Sequence, residues 1–375
     1  MKRFAASGYS RNKDSVQALQ EAYEQALCSL RGEAHTAWIL ASHHHAKNLD
    51  KLNGKLSIPN VFAATAFGAI TEHGESEDQP GLGLLLLSHP KLSLESQVLA
   101  RDNATDNEVD WGRQFRDQMA DTDAVWLFLN EKGWPESVAE GLSEVATRAV
   151  IAGGGLPGAW DTPRVLSGGQ SQDPLAWAVG LKGATQVEWT LAQALAPLGD
   201  YMKISGSVGD RLQKLDSTTA SLVVREKLGE ELYQKFLRGD LGLYARIPGG
   251  ESGRADRLFQ INSLDAQGEG LFIPGLPEDA ETMALAVHSG DAAKREFQVQ
   301  LEHLAQRIEN PVFGVYLNCC GRGQDLYGKL GVDAELFREA FPSVPLIGLS
   351  VGFELAPRQR GARLCSYTGI LLLVS

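Results

Sequence analysis

Apolar residues in this chain recur with two different periods, and the changes of period outline its elements. Between residues 15 and 31, Val16, Leu19, Tyr23, Ala26, Leu27 and Leu30 return every three or four positions behind Asp14-Ser15. That spacing predicts an amphipathic helix with an N-terminal cap. Short apolar runs bounded by turn-forming residues follow at 36–41, 61–66 and 82–88, and they predict strands. The acidic, glycine-containing stretch 72–81 reads as a loop before the last of these. Runs at 125–129 and 148–152 predict strands around a helix near 135–145. Runs at 174–181 and 186–192 predict antiparallel neighbours around Lys182-Gly183-Ala184.

The remainder continues in the same mixed style. Ile204-Ser205-Gly206-Ser207-Val208-Gly209-Asp210 predicts a hairpin turn, and residues 218–237 predict a helix. Strands are expected at 243–247, 258–262, 282–287 and 312–317, helices at 291–308 and 334–341, and two or three strands close the chain. The reading is an α/β fold of two mixed domains, each a sheet flanked by helices, divided near residue 220 into 1–220 and 221–375. The glycine clusters at 153–158 and 247–250 read as turns within a folded chain.

Composition narrows the function classes. A chain of 375 residues exceeds what one hydrophobic core usually serves, and 43% hydrophobic with 22% charged residues is ordinary for a globular protein. A formal net charge of −12 argues against nucleic acid and anionic membrane as partners. The longest apolar runs, 124–129 and 370–374, are far below a membrane span. The N-terminal residues lack the apolar core of a signal peptide, so no membrane insertion and a cytoplasmic location are expected. Four cysteines (Cys28, Cys319, Cys320, Cys365) are too few for a disulfide framework and read as reduced thiols.

Chemistry concentrates where the apolar run 312–317 stops at Asn318-Cys319-Cys320-Gly321-Arg322-Gly323. In open α/β sheets ligands bind beyond the carboxyl ends of strands, and an arginine between two glycines can face a small anion together with backbone N–H groups. Strand alternation makes at most one of the two thiols accessible, so packing or ligand contact is favoured over a Cys nucleophile. Glu354 should lie in a strand interior, where it either pairs with Arg322 or sits on an edge strand in solvent.

Several literal motifs fail in context. Gly348-Leu349-Ser350-Val351-Gly352 has the serine-hydrolase form, but no helix follows it and the last histidine is His303. The glycine pattern at 153–158 places Pro157 where a dinucleotide-binding helix would begin. His43-His44-His45 reads as a solvated loop and not as a metal site, because three consecutive side chains do not easily turn to one ion.

Asn318-Cys319-Cys320-Gly321-Arg322-Gly323, Tyr327-Gly328, Pro345-Leu346-Ile347-Gly348 with Phe353-Glu354-Leu355-Ala356-Pro357, and Ser366-Tyr367-Thr368-Gly369-Ile370-Leu371 resemble the C-terminal half of the FIST family. Ala66-Phe67-Gly68-Ala69-Ile70, the acidic stretch 72–78, Pro80-Gly81-Leu82-Gly83-Leu84-Leu85, Ile151-Ala152-Gly153-Gly154-Gly155, Gly199-Asp200-Tyr201-Met202-Lys203-Ile204 and Leu215-Asp216 resemble its N-terminal half. The resemblance implies a two-part ligand-sensing module, with amino acids the usual proposed ligands and haem-binding nitric oxide sensors among its relatives. It also implies output through a separate signalling protein. Where many members carry a cysteine this chain has Ala63-Ala64-Thr65-Ala66, and where many have Gly-Glu it has Phe353-Glu354.

The expectation is thus a non-enzymatic, standalone sensor with a small-molecule ligand held by Cys320, Gly321, Arg322, Gly323, Glu354, Tyr367 and Thr368. Arg322 and turn amides would hold a carboxylate and Glu354 an ammonium. No catalytic residue, metal or cofactor is expected. The alternatives are a haem sensor, with His35, His89 or His288 beside apolar runs as axial ligand, and a cysteine-dependent enzyme.

Overall fold

The computed structural model describes residues 2–100, 110, 113, 117, 121–130, 149–156, 164–248, 257–358 and 361–375. The helix expected near 135–145 lies outside the described residues. Packing divides the chain into two compact units, Met1–Gln193 with Lys294–Ser375, and Ala194–Ala293. Residue 220, where the sequence was divided, begins a helix of the second unit.

In the first unit the principal strands are β1 (Ala5–Ser10), β2 (Thr36–Ser42), β3 (Asn60–Ala66), β4 (Gly68–Thr71), β5 (Leu82–Leu87), β6 (Ser93–Ala100), β7 (Ala124–Asn130), β8 (Val150–Leu156), β9 (Val165–Ser167), β10 (Pro174–Lys182) and β11 (Val187–Gln193), with two short edge strands, Gly74–Glu75 beside β4 and Gln170–Gln172 beside β9. After the second unit come β12 (Phe313–Cys319), β13 (Leu346–Val351), β14 (Glu354–Pro357), β15 (Ala362–Cys365) and β16 (Thr368–Val374). The longer described α-helices are α1 (Ser15–Ser29), α2 (Ala220–Arg238) in the second unit, α3 (Gly290–Arg307) and α4 (Val332–Ala340), besides a one-turn helix at Gln324–Tyr327 and a 3-10 helix at His43–Leu52. The carboxylate of Asp14 accepts from the N–H groups of Val16 and Gln17, the cap that its position before α1 predicts.

These strands build three sheets. One runs β1-β5-β2-β3-β9, the second β15-β14-β8-β7-β10-β6, and the third β11-β16-β12-β13-β4. Each contains one parallel pair, β2 with β3, β7 with β8, and β12 with β13, flanked by antiparallel strands. Their inner faces share one apolar core. Trp38 of β2 lies 5.2 Å from Trp126 of β7, and Trp126 lies 6.3 Å from Phe313 of β12, so one aromatic contact chain links all three sheets. Outer faces are covered by α1 on the first sheet and by α3 and α4 on the third. The α/β class with sheets flanked by helices is therefore present.

Among the segments that pass from one sheet to another, two very short ones bring strand ends together. Phe67 separates β3 of the first sheet from β4 of the third, and Gly352-Phe353 separates β13 of the third from β14 of the second. Because β4 pairs with β13 (Gly68 opposite Ser350) and β14 pairs with β8 (Glu354 opposite Gly154), these crossings draw the strand ends together. The C-terminal ends of β3, β8 and β13 all converge near residues 350–354.

Glycine is what permits this meeting. Gly153, Gly154 and Gly155 were expected in a turn but belong to β8. A Cβ on Gly154 would lie 2.6 Å from the Phe353 carbonyl oxygen, and one on Gly155 would lie 2.4 Å from the Phe353 ring. Backbone bonds from Gly155 N–H to Phe353 O (2.9 Å) and from Gly352 N–H to Gly155 O (3.0 Å) close the contact.

The pairing expected between the runs at 174–181 and 186–192 does not occur. β10 pairs with β6 and β7, whereas β11 pairs along its length with the C-terminal strand β16. Each strand finds a longer complementary edge elsewhere, and Gly183 (φ +86°) turns the chain between them. The second unit holds the expected hairpin, Met202–Val208 against Arg211–Leu215, and packs α2 on an apolar core including Leu212, Val224, Leu243 and Leu285. No described helix is long and apolar enough to cross a membrane.

Gly154→Ala should destabilise the protein by about 1–3 kcal/mol, since the new methyl must displace backbone and the Val351 side chain. Gly206→Ala, whose Cβ would meet neighbours only at 3.5 Å or more, is the control. Urea unfolding monitored by tryptophan fluorescence compares the two midpoints.

Candidate functional site

The strand β12 alternates as a buried strand must. Phe313, Val315 and Leu317 enter the central core, and Tyr316 packs on the opposite face with α3 and α4. Cys319 continues the first series and is buried, while Cys320, just past the strand end, is half-buried. A hydrogen bond with the neighbouring Cys320 thiol, followed by burial, holds the Cys319 thiol well above the ordinary cysteine range. The Cys365 thiol, on β15 opposite Glu354, is pushed up by burial to about 11.

Arg322 does not face the strand-end crevice. It has no exposed surface, and it faces the side of β12 that carries Tyr316. Its Nε donates to Asp333 Oδ2 (3.2 Å), its Nη2 to Asp333 Oδ1 (3.3 Å) and Tyr327 Oη (2.8 Å), and its Nη1 to the Ala192 carbonyl (3.3 Å). Tyr316 and Tyr327 hydroxyls donate to the two oxygens of the same Asp333 carboxylate at 2.6 and 2.7 Å. Burial opposes the charge on Arg322, but Asp333 and the two tyrosines keep it charged. The role expected for Arg322, a clamp on a ligand carboxylate, is thereby taken by Asp333 from the first turn of α4.

Glu354 is also fully buried, on an interior strand, so neither its expected pairing with Arg322 nor an edge position in solvent occurs. Its Oε2 accepts from the Thr368 N–H (3.1 Å) and Oγ1 (2.6 Å). Its Oε1 has no hydrogen-bond partner among the described residues. Burial, reinforced by Cys319, raises its pKa well above the usual carboxylate range, which favours the protonated form. With no exposed surface and one oxygen already bonded to Thr368, Glu354 is not placed to offer the counter-charge expected for an ammonium group.

The other expected residues do meet. Gly321 lies under the Tyr367 ring, with a Cβ position 3.4 Å from it, and Tyr367 itself adopts φ +57°. Gly323 is required by Glu77: a Cβ there would fall 2.2 Å from the Glu77 carboxylate, which accepts the Gln324 N–H at 2.7 Å. Thr368 joins this group only through Glu354.

The acidic loop 72–78 was read as a connection, and it is instead a clasp. Glu72 accepts the Leu346 N–H (2.8 Å), Glu75 accepts the Gly331 N–H (2.8 Å), and Glu77 caps the turn after β12. Glu75 is buried beside Asp333, and burial followed by that neighbour pushes its pKa up to about 7. Asp333, Tyr316, Tyr327 and Glu75 were all missed in the sequence. The available signal was a lone aspartate in the first turn of the helix following the glycine turn.

Residues 36–218 match the family model described as the FIST N domain. Those residues belong to the FIST family. A search of curated proteins returns no match. The FIST domain is a small-ligand sensory domain, and in this chain it contributes the clasp, the first parallel pair and the β8 glycines to the strand-end convergence.

Histidines fall differently from expectation. His43, His44 and His45 open a 3-10 helix (His43–Leu52) and not a solvated loop. His45 is fully buried, bonded through Nδ1 to Ser15 Oγ at 2.9 Å, and burial lowers its pKa to about 4. Of the haem-ligand candidates, His35 bonds Thr36 Oγ1 and the His89 carbonyl through its two ring nitrogens, and His89 Nδ1 accepts from the N–H groups of Lys91 and Leu92. His288 belongs to the second unit. Two surface hollows, about 650 Å³ beside Trp189, His303 and Arg307 and about 620 Å³ beside Asn53, Phe62 and Gly168, lie away from the strand-end convergence.

Asp333→Asn leaves a buried guanidinium without its counter-charge and should cost about 3–5 kcal/mol, read as a fall in the urea midpoint. The pH dependence has a definite sign. Glu75 binds a proton more tightly folded (about 7) than at the ordinary 4.5, so its contribution is complete below 4.5 and is lost as pH rises through 7. Glu75→Gln should therefore flatten the decline in stability between pH 5 and pH 8, measured by urea unfolding across that range. Glu354 leaves a residual slope of the same sign.

Proposed function

We propose that the protein is a sensor of a small amine-bearing molecule, with amino acids as the ligand class, bound where the strand ends converge. The observation that carries this reading is that β3, β8 and β13, one strand from each parallel pair, end around residues 350–354, because crevices beyond the carboxyl ends of such strands are where α/β sheets take ligands. Half-buried Cys320, Gly321 and Tyr367 line the approach.

The charges there favour an ammonium. Glu77 sits at the turn after β12 and Asp78 follows it, both acidic, while the one buried arginine of the neighbourhood is committed to Asp333. Arg322 and Glu354 act in this reading as supports behind the site and not as ligand contacts: one fixes α4, the other joins β14 to the start of β16. Recognition falls to the rim.

Raised pKa values at Cys319 and Cys365 support a binding role over cysteine nucleophilic catalysis, since the thiolate is the reactive form. Output is proposed to pass to a separate signalling protein.

The test is a thermal-unfolding screen of the purified chain against the twenty common amino acids at millimolar concentration, followed by calorimetry. A ligand at 100 times its Kd should stabilise by about 2.7 kcal/mol and raise the Tm visibly. Glu77→Gln keeps a hydrogen-bond acceptor for Gln324 but loses the charge, and should weaken binding at least several-fold. A flat response to all twenty overturns the amino-acid class, and undiminished affinity in Glu77→Gln overturns the acidic rim.

A further inference from the structure

We infer that His43, His44 and Asp78 form a binding site for one divalent first-row transition-metal ion. The site is built by three independent features of the chain. β2 ends at Ser42, and the 3-10 helix that follows presents His43 and His44 side by side, their rings 4.2 Å apart between centroids. The acidic clasp then returns to the same place. It is held by Glu75 on Gly331 and Glu77 on Gln324, and by Ser42 Oγ accepting the Gly81 N–H at 3.1 Å. Between these anchors Asp78 adopts φ +47°, a left-handed conformation that aspartate tolerates better than most residues, and its carboxylate reaches the histidines.

The distances suit an ion. His43 Nε2 and Asp78 Oδ1 are 3.5 Å apart, close to the roughly 3.3 Å between two donors each about 2.0–2.1 Å from a tetrahedral zinc. Donor atoms of all three residues lie within 4.8 Å of one another, a spread that side-chain rotation closes. His43 is backed by the Phe67 ring, stacked at 24° and 6.4 Å, which restricts its orientation. The difficulty of aiming three consecutive histidines at one ion does not arise, because His45 turns inward to Ser15 and the third donor comes from the clasp.

Two imidazoles and one carboxylate select borderline metals such as Zn²⁺, Co²⁺, Ni²⁺ or Cu²⁺, whereas Mg²⁺ and Ca²⁺ prefer oxygen ligands throughout. His44 and Asp78 are exposed, so water or an added ligand can complete the shell. This site shares Asp78 with the proposed acidic rim but takes its two imidazoles from outside it, and the metal titration reads it independently of any amino acid.

The experiment is a Co²⁺ titration of tag-free, chelator-treated full-length protein, followed by absorption spectroscopy and by competition with Zn²⁺ and Mg²⁺. One equivalent of Co²⁺ should bind, be displaced by Zn²⁺ and resist excess Mg²⁺. His44→Ala and Asp78→Asn, both at exposed positions, should each weaken binding at least tenfold while retaining the far-ultraviolet dichroism of the parent. Failure to bind one equivalent overturns the site, as does unchanged affinity in both variants. A thiolate-to-cobalt charge-transfer band that disappears in Cys320→Ser would also overturn it, by placing the ion at the thiols.

Discussion

A guanidinium with no exposed surface must find, inside the protein, everything that water gave it outside. Arg322 does so through Asp333, Tyr327 and the Ala192 carbonyl. Such a pair adds little net stability, because desolvation of both ions consumes most of their attraction, but removing either partner leaves a charge stranded. Its effect is geometric. Arg322 follows β12, Asp333 opens α4, and α4 is the crossover that returns the chain to β13. The pair therefore fixes the parallel unit from which the Cys320 turn and the Gly352-Phe353 crossing both project. Tyr316, reaching Asp333 from within β12, ties the strand itself into the same knot.

A second constraint acts where sheets exchange strands. The chain leaves the third sheet after Val351 and joins the second at Glu354, so backbone must pass against β8 at a distance that no side chain allows. Gly153-Gly154-Gly155 meets that demand, and Phe353 fills the space the missing Cβ atoms leave. Where many members of the family that the chain resembles have Gly-Glu, this chain places the Phe353 ring beside Glu354. The ring packs on Gly155, and the fully buried Glu354, bonded to Thr368, seals the position. Ionised, Glu354 would be costly here; protonated, it costs only an unfilled oxygen.

What was legible in the sequence was local. The helical period and cap of α1, the all-apolar runs of β2, β7 and β12, and the long helix α3 each follow from spacing within one window, and the structure places them within a few residues of expectation. What was not legible was register between distant segments. Nothing in residues 68–71 announces that they lie beside 347–350, and the short Lys182-Gly183-Ala184 link made β10 and β11 look like neighbours although their partners lie elsewhere in the chain. The same limit hid the site. Arg322 and Glu354 were conspicuous as charges near apolar strands, but the identity of Asp333 as the arginine's partner depends on α4 folding back over β12. Carboxylates in helix first turns usually meet solvent or the helix N-terminus, so Asp333 carried no mark of burial.

The acidic loop shows how a negative chain organises its charge. Glu72, Glu75 and Glu77 each spend their acceptors on backbone N–H groups of residues 324–346, hundreds of positions away. Carboxylates are the right residues for this because each can satisfy a strand-start or helix-start N–H that lacks a partner, and charge-assisted bonds of this kind are the stronger ones. Their mutual repulsion is limited by letting one of them, Glu75, take up a proton near neutral pH. The loop's position is consequently set by the turn after β12 on one side and by His43 on the other. A ligand of the proposed kind at that turn, or an ion at the proposed His43, His44 and Asp78 site, would act on the same segment.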